Sequence, residues 1–290
     1  MRPGCFNGSG LYCVLHAKPG FGVENVATVK DVENLCIQRV DNAERYEFID
    51  ALAVESAATI VVNGKEIARM ACSPSNLRYL AAGFLASEGM IGGREEIKRI
   101  NVDEGQIPIR IKVIAEIRLP ATELSSSTVE IASGCGKGIF FITHSTGILN
   151  RVQSDACVSF EQVFHLARAF HQLSGIYRDT GGVHSAAVSD GNELLLSMED
   201  ISRHHAVDKV VGACVLQGVP LAGRILLTSG RISSDLVLKA ARVAVPIVIS
   251  RSAPTTLAVK VACDLGVTLI GFARGRRMNV YSHAWRITGG

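Results

Sequence analysis

From residue 224 to residue 272 the chain repeats one short unit three times, and this repetition constrains the fold more than any other feature. Largely apolar runs at 224–228, 246–249 and 267–272 alternate with amphipathic stretches at 234–243 and 255–265. Runs that are short and continuously apolar predict strands buried on both faces, because an exposed face would demand alternation. A helix of that length between two such strands returns the chain so that they lie parallel. Upstream, Ser159 precedes a helical pattern with Val163, Phe164, Leu166, Ala167 and Phe170 on one face, residues 183–188 and 194–197 read as strands joined at Asp190-Gly191, and 204–216 reads as a helix. The expected class is α/β, with a largely parallel or mixed sheet covered on both faces.

The first half reads differently. Residues 53–62 predict a strand, Asn63-Gly64 a hairpin turn, and residues 65–70 the returning partner. Ser73-Pro74 predicts a helix start, Ser as N-cap and Pro at the first helical position, with Leu77, Leu80, Ala81, Phe84 and Leu85 inward. Ile107, Ile109, Ile111 and Val113 alternate as in a half-exposed strand. The expected organisation is an extension over 1–45 about which the sequence says little, a β-rich unit over 46–130 with one helix, and an α/β unit over 131–290 (α+β overall).

The 290 residues are 48% hydrophobic and 20% charged, which excludes disorder and coiled coil. A net charge of +3 is too small for general nucleic-acid binding. The eight cysteines include no C-x-x-C pair, the pattern of reduced cytosolic thiols. No signal-peptide pattern and no apolar run of about 18 residues occurs, so a soluble cytoplasmic protein without a membrane partner is expected.

Cys135 stands in Ser133-Gly134-Cys135-Gly136-Lys137-Gly138, after the apolar Val129-Glu130-Ile131-Ala132. A thiol flanked by glycines has little side-chain cover, so large partners can approach its sulfur. Lys137 and the N–H groups of a glycine turn favour the thiolate. The competing reading is a plain glycine-rich turn that holds a cysteine. Cys214, between Ala213 and Val215, has the apolar neighbours of a structural thiol instead.

Three loops follow the three repeated strands. They carry Ser229, Gly230, Arg231 and Ser233; Ser250, Arg251, Ser252 and Thr255; and Phe272, Ala273, Arg274, Gly275, Arg276 and Arg277. Ligands of open α/β sheets bind beyond the carboxyl ends of the strands, and Ser, Gly and Arg ahead of a helix N-terminus suit a phosphate or pyrophosphate. The alternative is that Ser233 and Thr255 are simple N-caps and the arginines are solvated. His184, Glu199, Asp200, Arg203, His204 and Asp208 form a second polar group, with His204 and Asp208 one helical turn apart and positioned to line a pocket. A hydrogen-bonded structural role for His184 competes with an acid–base one. Zinc is disfavoured because His204 and His205 point to different sides of a helix and no cysteine lies at ligand spacing. No Ser-His-Asp triad, P-loop lysine motif or G-x-G-x-x-G is present.

From about residue 50 to Tyr281 these motifs resemble the FdhD/NarQ formate dehydrogenase accessory proteins. The resemblance is carried by Val61-Val62-Asn63-Gly64, Ser87-Glu88-Gly89, the Cys135 loop, Thr180-Gly181-Gly182-Val183-His184, residues 199–204 and 206–209, and the three strand-end loops. It implies a sulfurtransferase that takes persulfide sulfur from a cysteine desulfurase on Cys135. The sulfur passes to the molybdenum or tungsten bis(molybdopterin guanine dinucleotide) cofactor destined for the catalytic subunit of formate dehydrogenase. Residues Phe272 to Arg277 would contact the guanine dinucleotide part, and a free guanine nucleotide would use the same site. It also implies a cytidine-deaminase-like three-layer C-terminal fold without the zinc, since Ala186 occupies the expected Glu position and no P-C-x-x-C follows.

A homodimer is compatible with the sequence but not fixed by it. Gly138 stands where many members have the second cysteine of C-x-x-C, and Ser202 and His205 replace the more usual Gly and Asn. A single cysteine suffices where the cofactor itself is the acceptor. Two other readings remain at this point: a non-catalytic cofactor-binding chaperone, and a zinc hydrolase of deaminase type.

Overall fold

The computed structural model describes residues 30–118, 129–131 and 149–289. It is a mixed α/β structure built on two larger sheets. The chain enters through an antiparallel ribbon of β1 (Val32–Asp41) and β2 (Glu44–Ala53), paired from Val32↔Ala53 to Asp41↔Glu44. The strand expected over 53–62 is divided. β2 ends at Ala53, the Val54 N–H donates to Asp31 O at 2.9 Å, and pairing restarts in a different sheet at Ser56.

That sheet begins with the hairpin of β3 (Ser56–Val62) and β4 (Lys65–Cys72). Its turn is Asn63-Gly64, with φ of 49° and 84°, a left-handed pair that these two residue types tolerate best. The Asn63 amide also clasps Ala115 on both sides, donating to its carbonyl at 2.8 Å and accepting from its N–H at 3.1 Å. α1 (Leu77–Ser87) and a single 3-10 turn at Arg94–Glu96 then lead to β5 (Ile97–Asp103) and β6 (Ile109–Ala115). With β7 (Val129–Ile131) the sheet order is β5-β6-β3-β4-β7. β6 alternates buried and exposed along its whole length, as its sequence pattern requires.

The helix start is a correction. α1 is capped by Asn76 in the left-handed conformation, not by Ser73. Ser73 is taken by a tertiary contact instead: its N–H donates to Asp200 Oδ2 at 3.1 Å and its Oγ accepts from the Ile201 N–H at 3.1 Å.

The second half contains β8 (Val158–Ser159), α2 (Phe160–Leu173), α3 (Gly175–Thr180), β9 (His184–Ser189), β10 (Leu194–Asp200), α4 (Arg203–Gln217), β11 (Ile225–Thr228), α5 (Ser234–Arg242), β12 (Ile247–Ser250), α6 (Thr256–Leu265), β13 (Thr268–Arg274), β14 (Arg277–Val280) and β15 (Ile287–Thr288). Ser159 caps α2 in a full capping box with Gln162. The six-stranded order is β10-β9-β11-β12-β13-β14, with β11, β12 and β13 parallel and the remaining neighbours antiparallel.

Every residue of β11 and β12 is buried, as expected of strands covered on both faces. Ile225, Leu227, Ile247 and Ile249 face α2. Leu226 and Val248 face the other way, into the larger core that holds Val207, Val210 and Val211 of α4 and Leu236 and Val237 of α5. That core runs on without a break through Leu80, Phe84 and Leu85 of α1 to Ile60, Ile111 and Val113 of the five-stranded sheet.

α1 meets α4 through two glycines. A Cβ on Gly83 would lie 1.7 Å from Asp208 O, and one on Gly212 would lie 1.9 Å from Tyr79 O. The helices therefore touch backbone to backbone, closer than any larger residue permits. No described helix is long and apolar enough to cross a membrane.

Candidate functional site

The carboxyl ends of β11, β12 and β13 come together at one edge of the six-stranded sheet, and hydrogen bonds join their loops. Ile232 N–H donates to Ala253 O at 3.1 Å and Thr255 N–H to Ile232 O at 3.0 Å. Phe272 N–H donates to Ser252 O at 3.1 Å, which brings in the third segment. The buried Ser250 hydroxyl donates to Gly230 O at 2.7 Å and accepts from the Ser252 N–H at 2.9 Å. Ser250 therefore spends its only donor and one acceptor position on bracing the loops, and its burial turns the hydroxyl to this structural role.

β9 is antiparallel to β11, so its first residue reaches the same edge. Ser229 Oγ accepts from the Ser185 N–H at 2.9 Å and lies 3.3 Å from His184 Nδ1. The first turn of α4 adds Arg203 and His204. A Cβ on Gly230 would lie 2.8 Å from Arg203 Cβ, so Arg203 packs directly over the first loop and only glycine fits beneath it. His204 Nε2 lies 3.1 Å from Ser233 Oγ. Ser233 is the N-cap of α5 by position but makes no capping bond with its side chain, whereas Thr255 does cap α6 through the Ala258 N–H at 3.2 Å. Of the two expected capping hydroxyls, one is a cap and the other serves the histidine.

The electrostatics follow from this packing. Burial lowers the His204 pKa to about 3, with the Arg203 and Lys239 charges acting in the same direction. Burial and Arg203 also lower that of His184. Both imidazoles are held toward the neutral form beside hydroxyl groups, on an edge that carries Arg203, Arg231 and Arg251.

The polar network expected around His204 and Asp208 divides in two. Asp208 is buried and its carboxylate is taken by α1 and α5. It accepts from Lys239 Nζ at 2.7 and 2.9 Å and from Ser87 Oγ at 2.6 Å. Glu88 binds the same ammonium at 3.1 Å and Arg242 at 3.1 Å. Asp200 anchors the second group: it lies 2.8 Å from Lys209 Nζ and 3.6 Å from His205 Nδ1, and accepts from the Ser202 N–H at 2.9 Å. Burial opposes ionisation of Asp200, but Lys209 and His205 hold its pKa below the ordinary carboxylate value. Glu199 holds the start of α3, accepting from the Ile176 and Tyr177 N–H groups at 3.2 Å each.

The roles of Lys239, Lys209 and Ser73 in these buried clusters were not read from the sequence. A lysine in an amphipathic helix reads as solvated, and only the approach of α1 to α4 and α5 buries it. Among the described residues, no group of three or more His, Cys, Asp or Glu side chains converges as a metal site.

The segment Phe272 to Arg277 is not a loop, which corrects the sequence expectation. β13 continues through Arg274, turns tightly at Gly275 (φ 61°) and Arg276, and returns as β14 from Arg277. A register shift between Gly271 and Arg274, with Phe272 at φ 53°, bends the strand beside the Ser252 loop. The three arginines are exposed on this hairpin and Ala273 is buried. Arg251 sits beside His171 of α2.

Cys135 and Lys137 lie outside the described residues. Of the described cysteines, Cys72 and Cys214 are buried, and burial pushes both thiols up to about 12, which suits inert core sulfur. Cys157, the cysteine after Cys135 in sequence, is exposed and donates to Asp155 O at 3.4 Å.

Known proteins match this chain along most of its length. It is 38% identical over 260 residues to the sulfur carrier protein FdhD of Staphylococcus haemolyticus, covering 89% of this chain and 98% of that protein. It is 38% identical over 265 residues to the sulfur carrier protein FdhD of Bacillus subtilis, covering 91% and 98%. A crystal structure from Desulfotalea psychrophila, described as that of a formate dehydrogenase accessory protein, superposes with a TM-score of 0.71 at 28% identity, covering 89% of this chain and 99% of that one. The FdhD/NarQ family model matches residues 53–288, which spans both sheets and the whole strand-end edge; the chain belongs to the FdhD/NarQ family.

Proposed function

We propose that this protein is a sulfur carrier of formate dehydrogenase maturation that accepts persulfide sulfur on Cys135 from a cysteine desulfurase. It would pass that sulfur to the molybdenum or tungsten bis(molybdopterin guanine dinucleotide) cofactor, its substrate. One observation carries the reading: the chain, with Cys135 between two glycines in its sequence, aligns nearly end to end with relatives named sulfur carriers. In the loading step the Cys135 thiolate attacks the terminal sulfur of the desulfurase persulfide. A new S–S bond forms on Cys135, the old one breaks, and the desulfurase cysteine leaves as a thiolate.

The strand-end edge supplies what a nucleotide-bearing substrate needs. Arginines on the edge and on the β13–β14 hairpin meet phosphate charge, and the α5 N-terminus has no side-chain cap. Neutral His184 and His204 offer ring nitrogens without adding charge. A guanine group would rest against the Phe272–Arg277 hairpin, a position this reading shares with free guanine nucleotides. On the same reading the three-layer C-terminal half is a deaminase-type fold used without zinc.

The test is the mass of the protein after incubation with a cysteine desulfurase and cysteine. The wild type should gain one sulfur on Cys135 and Cys135→Ala should gain none; sulfur retained by Cys135→Ala overturns the reading. Gly138 favours one alternative, a cofactor-binding chaperone that has lost the sulfur chemistry. In that case Cys135→Ala would still support formate dehydrogenase maturation.

A further inference from the structure

We infer that the cleft between α1 and the edge strand β5 is a docking site for an extended acidic segment of a partner protein. The cleft has a volume of about 290 Å³ and is lined by Arg78, Arg94, Lys98, Arg99 and Asn101 over a floor of Ile97 and Ile100. Four of its seven lining residues are cationic and none is acidic, although the whole chain carries a net charge of only +3.

The backbone builds this concentration of charge. β5 shifts register against β6 between Ile97 and Arg99, so Lys98 and Arg99 are both exposed where regular alternation would bury one of them. The adjacent 3-10 turn is pinned by Arg94, which donates to Ile97 O at 2.7 Å. Glu96, between Arg94 and Lys98 in sequence, is turned toward Arg118 and the Gly92 N–H and does not neutralise the cleft. Lys98 pairs with Glu116 at 2.9 Å in an exposed contact that a ligand can displace. Arg78 and Arg99 have no carboxylate partner among the described residues.

The shape selects the occupant. Five consecutive residues, Ile97 to Asn101, line the cleft, so it runs along a strand and does not close around one point. β5 is the outermost strand of its sheet among the described residues. An extended chain laid beside it places alternate side chains toward the cations, and carboxylates at that spacing meet several positive charges at once. The site shares no lining residue with the strand-end edge of the other sheet and does not depend on the sulfur-carrier reading.

Fluorescence anisotropy with a labelled peptide of alternating Glu and Thr tests the inference on the full chain. The wild type should bind the peptide at low salt and less tightly at physiological salt. Arg78→Glu with Arg99→Glu should weaken binding about tenfold or more, because rim charges of this kind govern encounter and register. Both side chains are exposed, and an unchanged melting temperature confirms that the variant is folded. Equal binding by wild type and variant overturns the inference, as does equal binding of a peptide with Lys in place of Glu. Displacement of the peptide by inorganic phosphate at comparable concentration also overturns it, since that outcome marks a small-anion site.

Discussion

Lys239 of α5 lies 2.7 Å from Oδ1 of Asp208 on α4, and this buried pair joins three helices because Ser87 of α1 donates to the same oxygen. Burial opposes the ammonium charge, but the Asp208 and Glu88 carboxylates outweigh it and hold Lys239 above its ordinary value. Its contribution to stability is therefore present below the unfolded value and lost as pH rises through the higher folded one. Lys239→Met alone leaves Asp208 and Glu88 desolvated and should cost about 3–5 kcal/mol in urea unfolding. Lys239→Met combined with Asp208→Leu should recover most of that loss, and a double variant as unstable as the single one would contradict the ion-pair account.

The glycine contact between α1 and α4 gives a sharper expectation. Gly83→Ala places a methyl group 1.7 Å from the Asp208 carbonyl oxygen, which only separation of the helices can relieve. A loss of about 3 kcal/mol or more is expected on thermal unfolding. Gly64→Ala, in open space but at φ 84°, should lose about 1 kcal/mol from backbone strain alone. Measuring both separates close packing from conformation.

His204 makes stability depend on acid. Its folded pKa is about 3 against an ordinary 6.5, so the unfolded chain binds the proton more tightly. Stability is full above pH 6.5 and falls as pH drops toward the folded value, by up to about 1.4 kcal/mol per pH unit from this group. His184 adds to the slope in the same direction. His204→Gln keeps a hydrogen-bonding group beside Ser233 and should flatten the curve of unfolding midpoint against pH between 6 and 4. An unchanged slope would mean that the ring is protonated in the folded protein.

The exposed hairpin arginines should act on nucleotide affinity and not on folding. Arg274→Ala with Arg277→Ala should weaken binding of a guanine nucleotide about tenfold or more in calorimetry and leave the melting temperature within about 1 °C. Ser250→Ala should do the reverse, since the buried hydroxyl braces the Gly230 and Ser252 backbone. That variant should melt lower by several degrees, in keeping with about 1–3 kcal/mol for a buried carbonyl left unpaired.

Local pattern determined the repeated strand-and-helix half, the Asn63-Gly64 turn and the Ser159 cap, because each depends on residues adjacent in sequence. Apolar continuity in 225–227 and 247–249 is enough to demand cover on both faces. Cys135 stands out in the sequence as a residue type in a pattern and lies outside the described residues, whereas the strand-end arginines are placed by the structure with no ligand role shown. Ser73 has the sequence context of a cap, but its partners Asp200 and Ile201 are distant in sequence, and the glycine and charges of Phe272–Arg277 disguise a hairpin as a loop. Only tertiary structure decided that Asp208 pairs with Lys239, that Ser233 serves His204 instead of capping α5, and that Gly83 and Gly212 bring two helices into backbone contact. The physical reason is common to all three. Burial makes an unpaired polar group or an extra methyl costly, and which groups become buried together depends on packing between elements, which no local pattern encodes.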